Sequence, residues 1–316
     1  MSQEKALQSV DDLLLSIVNS DVDVLREASR HILSAGGKRV RPRLTLLAYE
    51  AVGGKNLSEA LPVAAAVELV HTATLVHDDI NDHGSLRRGR PTVNATWGRT
   101  FALLTGDYLF TKVYELMAPY RDLNIVFAEA TVALVEGETL QAAAAKSGQL
   151  DRETYTRIIA KKTASLFAAA TKLGAMLGGG TQEQINALEQ YGFNLGLAFQ
   201  IVDDILDLIA DSKQLGKTAG LDVVQGKGFA TALAGANGHD VAGNGASAPA
   251  AVVDVDAADP LSAFKQKMMA GNYIQEGREN AANLATLAAM SLELLPASPA
   301  LDELRDLTQQ VVERDH

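Results

Sequence analysis

The chain has 316 residues, 47% of them apolar, and no cysteine, so it can bury a large core without disulfides, thiolate metal sites or cysteine nucleophiles. Its formal net charge of −11 disfavours nucleic acid as the main partner. The first residues lack a basic n-region and an apolar h-region, and no apolar run approaches the roughly 20 residues of a membrane span, so a cytoplasmic protein is expected.

Ala/Leu/Glu/Gln stretches with 3.6-residue spacing dominate and strand signals are scarce, which predicts an all-α fold. Residues 8–34 read as one or two amphipathic helices. Gly36 and Gly37 break the pattern before a basic block, Lys38-Arg39-Val40-Arg41-Pro42-Arg43, and a helix over 42–51. A long helix over 58–81 follows the Gly53-Gly54 loop. Residues 84–91 read as a loop carrying Arg87, Arg88 and Arg90. Helices are then expected over 100–117, 123–146, 151–177 and 182–211, broken near Pro119, at Gly148 and at Gly178-Gly179-Gly180. Residues 232–260 are rich in Gly, Ala, Asn and Asp without periodicity, and read as a long surface loop. Pro260 opens a helix, and two more finish the chain, with breaks near Pro296 and Pro299. One domain over residues 1–316 is expected.

Two copies of one carboxylate motif organise this pattern: Asp78-Asp79-Ile80-Asn81-Asp82 and Asp203-Asp204-Ile205-Leu206-Asp207. On a helix, positions i and i+4 share a face, so the first and last carboxylates of each motif sit a turn apart. A lone acidic run is more often a solvated helix face. Here apolar stretches precede both copies, Leu75-Val76 and Ala198-Phe199 with Ile201-Val202, which places the carboxylates at the mouth of a core or cavity. Like charges so close call for a hard divalent cation, and Mg²⁺ is held by a few carboxylates plus substrate phosphates. Basic groups beside the acidic ones suit the remaining oxygens of a diphosphate: the 38–43 block, Arg87-Arg88, Lys161-Lys162, and Lys213, Lys217 and Lys227.

In order along the chain, these blocks resemble the trans-polyprenyl diphosphate synthases, from about residue 25 to 312. The matching residues are Gly36-Gly37-Lys38-Arg39-x-Arg41-Pro42, His77-Asp78-Asp79-x-x-Asp82, Arg87-Arg88-Gly89-x-Pro91-Thr92, Gly106-Asp107, Glu136-Gly137-Glu138, Lys162-Thr163-Ala164, Phe199-Gln200-x-x-Asp203-Asp204-x-x-Asp207, and Gly216-Lys217, Gly220-x-Asp222 and Gly226-Lys227. The resemblance implies an all-α bundle around a deep central cavity, a homodimer, and condensation of isopentenyl diphosphate with an allylic diphosphate. It implies Mg²⁺ on Asp78, Asp82 and Asp203, three ions once substrate is bound, with Asp79, Asp204 and Asp207 completing the catalytic motifs. Arg87, Lys162, Thr163, Gln200 and Lys217 would hold the allylic diphosphate, and Lys227 is a further substrate-binding residue. Lys38, Arg41, His71 and Arg88 would hold isopentenyl diphosphate. His77 is left as structural or supporting.

After Lys227 the family continues with Thr, an apolar residue and Pro; this chain reads Gly228-Phe229-Ala230-Thr231, which removes a helix-start signal. The rivals are a class I terpene cyclase, set aside because the second motif is again D-D-x-x-D, and a non-catalytic subunit of a heteromeric synthase.

Product length in such enzymes follows the depth of the cavity beneath the first motif. Thr74 and Ala73, four and five residues before Asp78, lie about 6–8 Å below it and are small, as is Val70 another turn down. The tunnel is therefore expected to continue, toward a product of about C30 to C50 for a quinone side chain, with a C20 product as the alternative. Phe101, Leu104, Tyr108 and Phe127 are candidates for its end.

Overall fold

The computed structural model describes residues 1–209, 232 and 272–314. Its helices are α1 (Gln3–Ile17), α2 (Asp23–Leu33), α3 (Val40–Ala51), α4 (Leu61–Asn81), α5 (Val93–Trp97), α6 (Arg99–Met117), α7 (Arg121–Ser147), α8 (Arg152–Ile159), α9 (Ser165–Leu177), α10 (Gln182–Ile209), α11 (Tyr273–Ser291) and α12 (Pro299–Val312). The expected surface loop at 232–260, the helix opened by Pro260, and Lys213, Lys217 and Lys227 lie outside the described residues.

α4 is the central helix. It is buried nearly all round, from Val63 to Val76, as a helix apolar on every face must be. It packs against α6, while α9 lies between α3 and α10, and α10 packs on α11. One core cluster runs from Ala6 in α1 to Val311 in α12. Local chemistry sets the ends: Asp151 accepts from Thr154 N at 2.7 Å to start α8, and Ser298 caps α12 with Pro299 in its first turn. α7 ends at Gly148, whose φ of 67° suits glycine.

Three expectations need correction. The helix expected over 58–81 is divided: a 3₁₀ turn, Leu57–Glu59, precedes α4, which starts beside Pro62. The helix over 151–177 contains a π-turn, Ala160–Ala164, between α8 and α9. The loop over 84–91 contains a hairpin of β1 (Leu86–Arg87) and β2 (Arg90–Pro91), pairing Leu86 with Pro91 and Arg87 with Arg90. Arg88 and Gly89 form its turn, both with positive φ (52° and 72°), as a two-residue hairpin turn of the favoured hand requires. Strands of two residues are too short to leave a period in the sequence.

Candidate active site

The first acidic motif occupies the last turn of α4, with Asp82 as its C-cap. Asp79 points inward: it is 3% exposed, Arg87 Nε donates to its Oδ1 at 2.8 Å, and its Oδ2 is buried without a hydrogen bond. Burial raises its carboxyl to about 6, Arg87 opposes that, and Asp78 and Asp82 add to it. The β1–β2 hairpin brings Arg87 back to the helix that precedes it.

Lys162, on the π-turn, reaches across to this motif. Its Nζ lies 3.6 Å from Asp78 Oδ2, 3.0 Å from Glu138 and 2.8 Å from Gln141 Oε1. Burial works against the ammonium, but Asp78, Glu138 and Asp82 outweigh it and hold it above its ordinary value. Glu138 is raised by burial and by Asp78, with Lys162 pulling the other way.

The next residue on the turn, Thr163, serves the second motif. Its hydroxyl donates to Gln200 Oε1 at 2.7 Å, and Gln200 Nε2 donates to Asp204 Oδ1 at 2.8 Å. Tyr155 donates to Asp204 Oδ2 at 2.8 Å. Asp203 is half-exposed, while Asp207 is buried in α10. Two neighbouring residues of one π-turn therefore connect α4 to α10.

A second group of cations divides in two: Arg41 and Arg88 face His71, whereas Lys38 lies toward Arg314 and Asp203. Lys38, Arg41 and Arg88 have no carboxylate within 4 Å among the described residues. Arg88 lies over Gly37, and Arg41 stacks 4.7 Å from the Phe167 ring centroid with its Nε buried and unbonded. Burial lowers Arg41 to about 10. Burial, then Arg41, Arg88, Arg87 and Arg39, push His71 well below its ordinary value, so its ring is neutral. Concentrated cations without counter-ions form an anion site. Arg39 stands apart: it pairs with Glu68 at 2.6 Å and Asp11 at 2.7 Å and fastens α3 to α4 and α1.

His77 supports packing. Its ring stacks on Phe110, and Gly106 of α6 approaches so closely that a Cβ there would lie 2.2 Å from Nε2. The sequence reading missed Tyr155, Gln141 and Arg314 as site residues. Arg314 lies 3.8 Å from Asp203, over the Phe199 ring, with Nε and Nη1 buried and unbonded. No local pattern marks a residue that reaches its partner from more than 100 positions away.

The donor set fits a hard cation. The residues assigned to it, Asp78, Asp82 and Asp203, are carboxylates throughout, the ligands such an ion takes. Among the described residues no three acidic or histidine groups come together closely enough to hold an ion alone.

Below the motif, Ala73 and Thr74 are buried in α4. A cavity of about 490 Å³ opens at the level of Val70, bounded by Phe110, Val113, Met117, Asn124 and Phe127. Neither Ala73 nor Thr74 lines it. Of the candidates for the tunnel's end only Phe127 does; Phe101 and Leu104 are 43% and 49% exposed on the outside, and Tyr108 donates to Asn19 O.

A family model described as polyprenyl synthetase matches residues 22–240. The octaprenyl diphosphate synthase of Escherichia coli is 35% identical over 311 residues, 98% of this chain and 96% of the relative. A protein of Methanothermobacter thermautotrophicus named short chain isoprenyl diphosphate synthase is 43% identical over 233 residues, 72% of this chain and 69% of the relative. The crystal structure of a polyprenyl synthase from Caulobacter crescentus, complexed with calcium and isoprenyl diphosphate, superposes with a TM-score of 0.88 at 32% identity, covering 99% of this chain and 96% of that one.

Proposed function

The chain belongs to the polyprenyl synthetase family, and we propose that its two sites bind the two diphosphates of one condensation. It is a trans-prenyltransferase that makes polyprenyl diphosphates. The allylic diphosphate lies between the acidic motifs, with Asp78, Asp82 and Asp203 as metal ligands and Arg87, Lys162, Thr163, Gln200 and Lys217 around it, and Lys227 as a further substrate-binding residue. Held by Asp78, Asp82 and Asp203, bound Mg²⁺ would supply positive charge to the departing diphosphate. Lys162 and Arg87 add fixed positive charge where negative charge grows as the carbon–oxygen bond breaks. Isopentenyl diphosphate lies on Lys38, Arg41, Arg88 and neutral His71, and needs no metal there. Its double bond forms the new carbon–carbon bond, and the proton lost passes to the pyrophosphate. The observation that carries this reading is the group of cations, Lys38, Arg41 and Arg88, without a carboxylate within 4 Å among the described residues, with Arg41 Nε buried and unbonded.

The cavity beyond Val70 supports a long product, C30 to C50, of the kind used as a quinone side chain. The short-chain relative supports the alternative, C20. An exposed apolar face on α6 and α7, including Tyr114, Ile125, Val132 and Val135, supports a homodimer. Among the described residues no helix is long and apolar enough to cross a membrane, in keeping with a cytoplasmic site of action. The shared core supports a single domain.

The test is incubation of the purified protein with Mg²⁺, labelled isopentenyl diphosphate and farnesyl diphosphate, with products sized by chromatography. Products of C30 or longer are expected. Products ending at C20 would keep the reaction and reject the length; no product would favour a subunit of a heteromeric enzyme.

A further inference from the structure

The π-turn Ala160–Ala164 is held from two sides by helical glycines. On α7, a Cβ at Gly137 would lie 2.5 Å from Lys162 N, 2.9 Å from Lys162 Cα and 3.0 Å from Lys161 C. On α10, a Cβ at Gly196 would lie 2.7 Å from Ala164 Cα and 2.9 Å from Phe167 Cβ. Main-chain atoms cannot swing aside as the tip of a long side chain can. Glycine in a helix interior is less favourable than alanine, so the reason for these two is the space they leave. The neighbours agree with that. Glu136 pairs with Lys161 and Glu138 with Lys162, so ion pairs bracket Gly137 on both sides. Gln200, one turn beyond Gly196, receives the Thr163 hydroxyl. A π-turn inserts a residue into a helix and redirects the side chains it carries, so its direction must be fixed from outside.

We propose that Gly137 and Gly196 are positioning residues for the condensation. Clasping the turn from α7 and α10, they hold Lys162 at Asp78 and Thr163 at Gln200, so that one diphosphate meets both groups. This rests on the reading that Lys162 holds the allylic diphosphate.

The experiment is steady-state kinetics of Gly137→Ala in the full-length protein, alone and with Lys162→Met. Gly137→Ala is expected to raise the allylic KM about tenfold or more, because misplacing a binding group by about 1 Å is costly, while the isopentenyl KM changes less than about twofold. In the Lys162→Met background Gly137→Ala should change nothing further, since both act through one group. Additive effects, or equal losses for both substrates, would overturn the proposal. A normal allylic KM in Lys162→Met alone would show that the reading of Lys162 is at fault, and the proposal falls with it. If Gly137→Ala does not fold, Gly196→Ala in a Thr163→Val background gives the same comparison.

Discussion

Asp78 and Asp203 sit on different helices; Lys162 reaches Asp78, and its neighbour Thr163 reaches Asp204, the residue after Asp203, through Gln200. Replacing either with Ala should lower turnover by at least about 10²–10³-fold, the scale for losing one preorganised electrostatic group, with the far-ultraviolet circular dichroism unchanged. Retained turnover in either variant would remove that carboxylate from the metal site. His71 carries a different signature. Its folded pKa lies below its ordinary value because of burial and the surrounding arginines. The unfolded chain therefore binds the proton first as pH falls. The contribution of the neutral ring is present above about pH 6.5 and is lost as pH falls below it, with a slope of at most about 1.4 kcal/mol per pH unit. His71→Gln should flatten the decline in Tm between pH 6.5 and 5. An unchanged decline would mean that the acid lability comes from another group. The sequence singled out His71 only through its resemblance, since a lone histidine carries no sign of its neighbours; four arginines surround it because α3, α4 and the hairpin converge.

At the level of elements, the basic block is anchored by a residue that does not belong to the proposed site. Arg39 starts α3 in the left-handed region, φ 47°, and its guanidinium holds Glu68 of α4 and Asp11 of α1. Both Arg39 and Glu68 are nearly inaccessible, so removing one partner leaves a buried charge. Glu68→Ala should destabilise the fold by about 3 kcal/mol, read by urea denaturation, and raise the isopentenyl KM through Lys38 and Arg41. A stability loss below about 1 kcal/mol would mean that Asp11 alone satisfies Arg39. The helices themselves were legible in periodicity and punctuation, down to the glycine that ends α7. The hairpin and the π-turn were not. Each is a departure of one or two residues from the local rule, and neighbours rather than local sequence decide it: Asp79 pairs with the arginine the hairpin returns, and α7 and α10 confine the turn.

Over the whole molecule, two surfaces of α6 and α7 have separate consequences. The inner one bounds the cavity, where Phe127 is 5% exposed. Phe127→Ala should lengthen the longest product by one or more five-carbon units, at a stability cost of about 3 kcal/mol. A product of unchanged length would place the tunnel's end elsewhere. The outer surface leaves Ile125 65% and Val135 53% exposed. Ile125→Glu should shift the protein toward monomer in analytical ultracentrifugation, because a charge in the middle of an apolar contact must be desolvated. An unshifted mass would place any contact between copies on another face.

The sequence by itself determined the helical class, the family and the two acidic motifs, because each is written in local spacing that survives without knowledge of neighbours. Small residues at 73 and 74 were also legible as residues, yet their consequence was not. Whether space lies beneath them depends on which side chains of α6 and α7 arrive there, and Phe101 and Leu104 turned outward while Phe127 turned inward. The tertiary structure alone decided that Lys162 and Thr163 connect the motifs, that Tyr155 and Arg314 reach the second one, and that Arg39 is an anchor while Arg41 is left without a carboxylate. A charge is the same letter in a sequence whether it is paired or left open. Only the packing of distant helices sets which carboxylate comes within reach, and so which cations remain to meet a substrate.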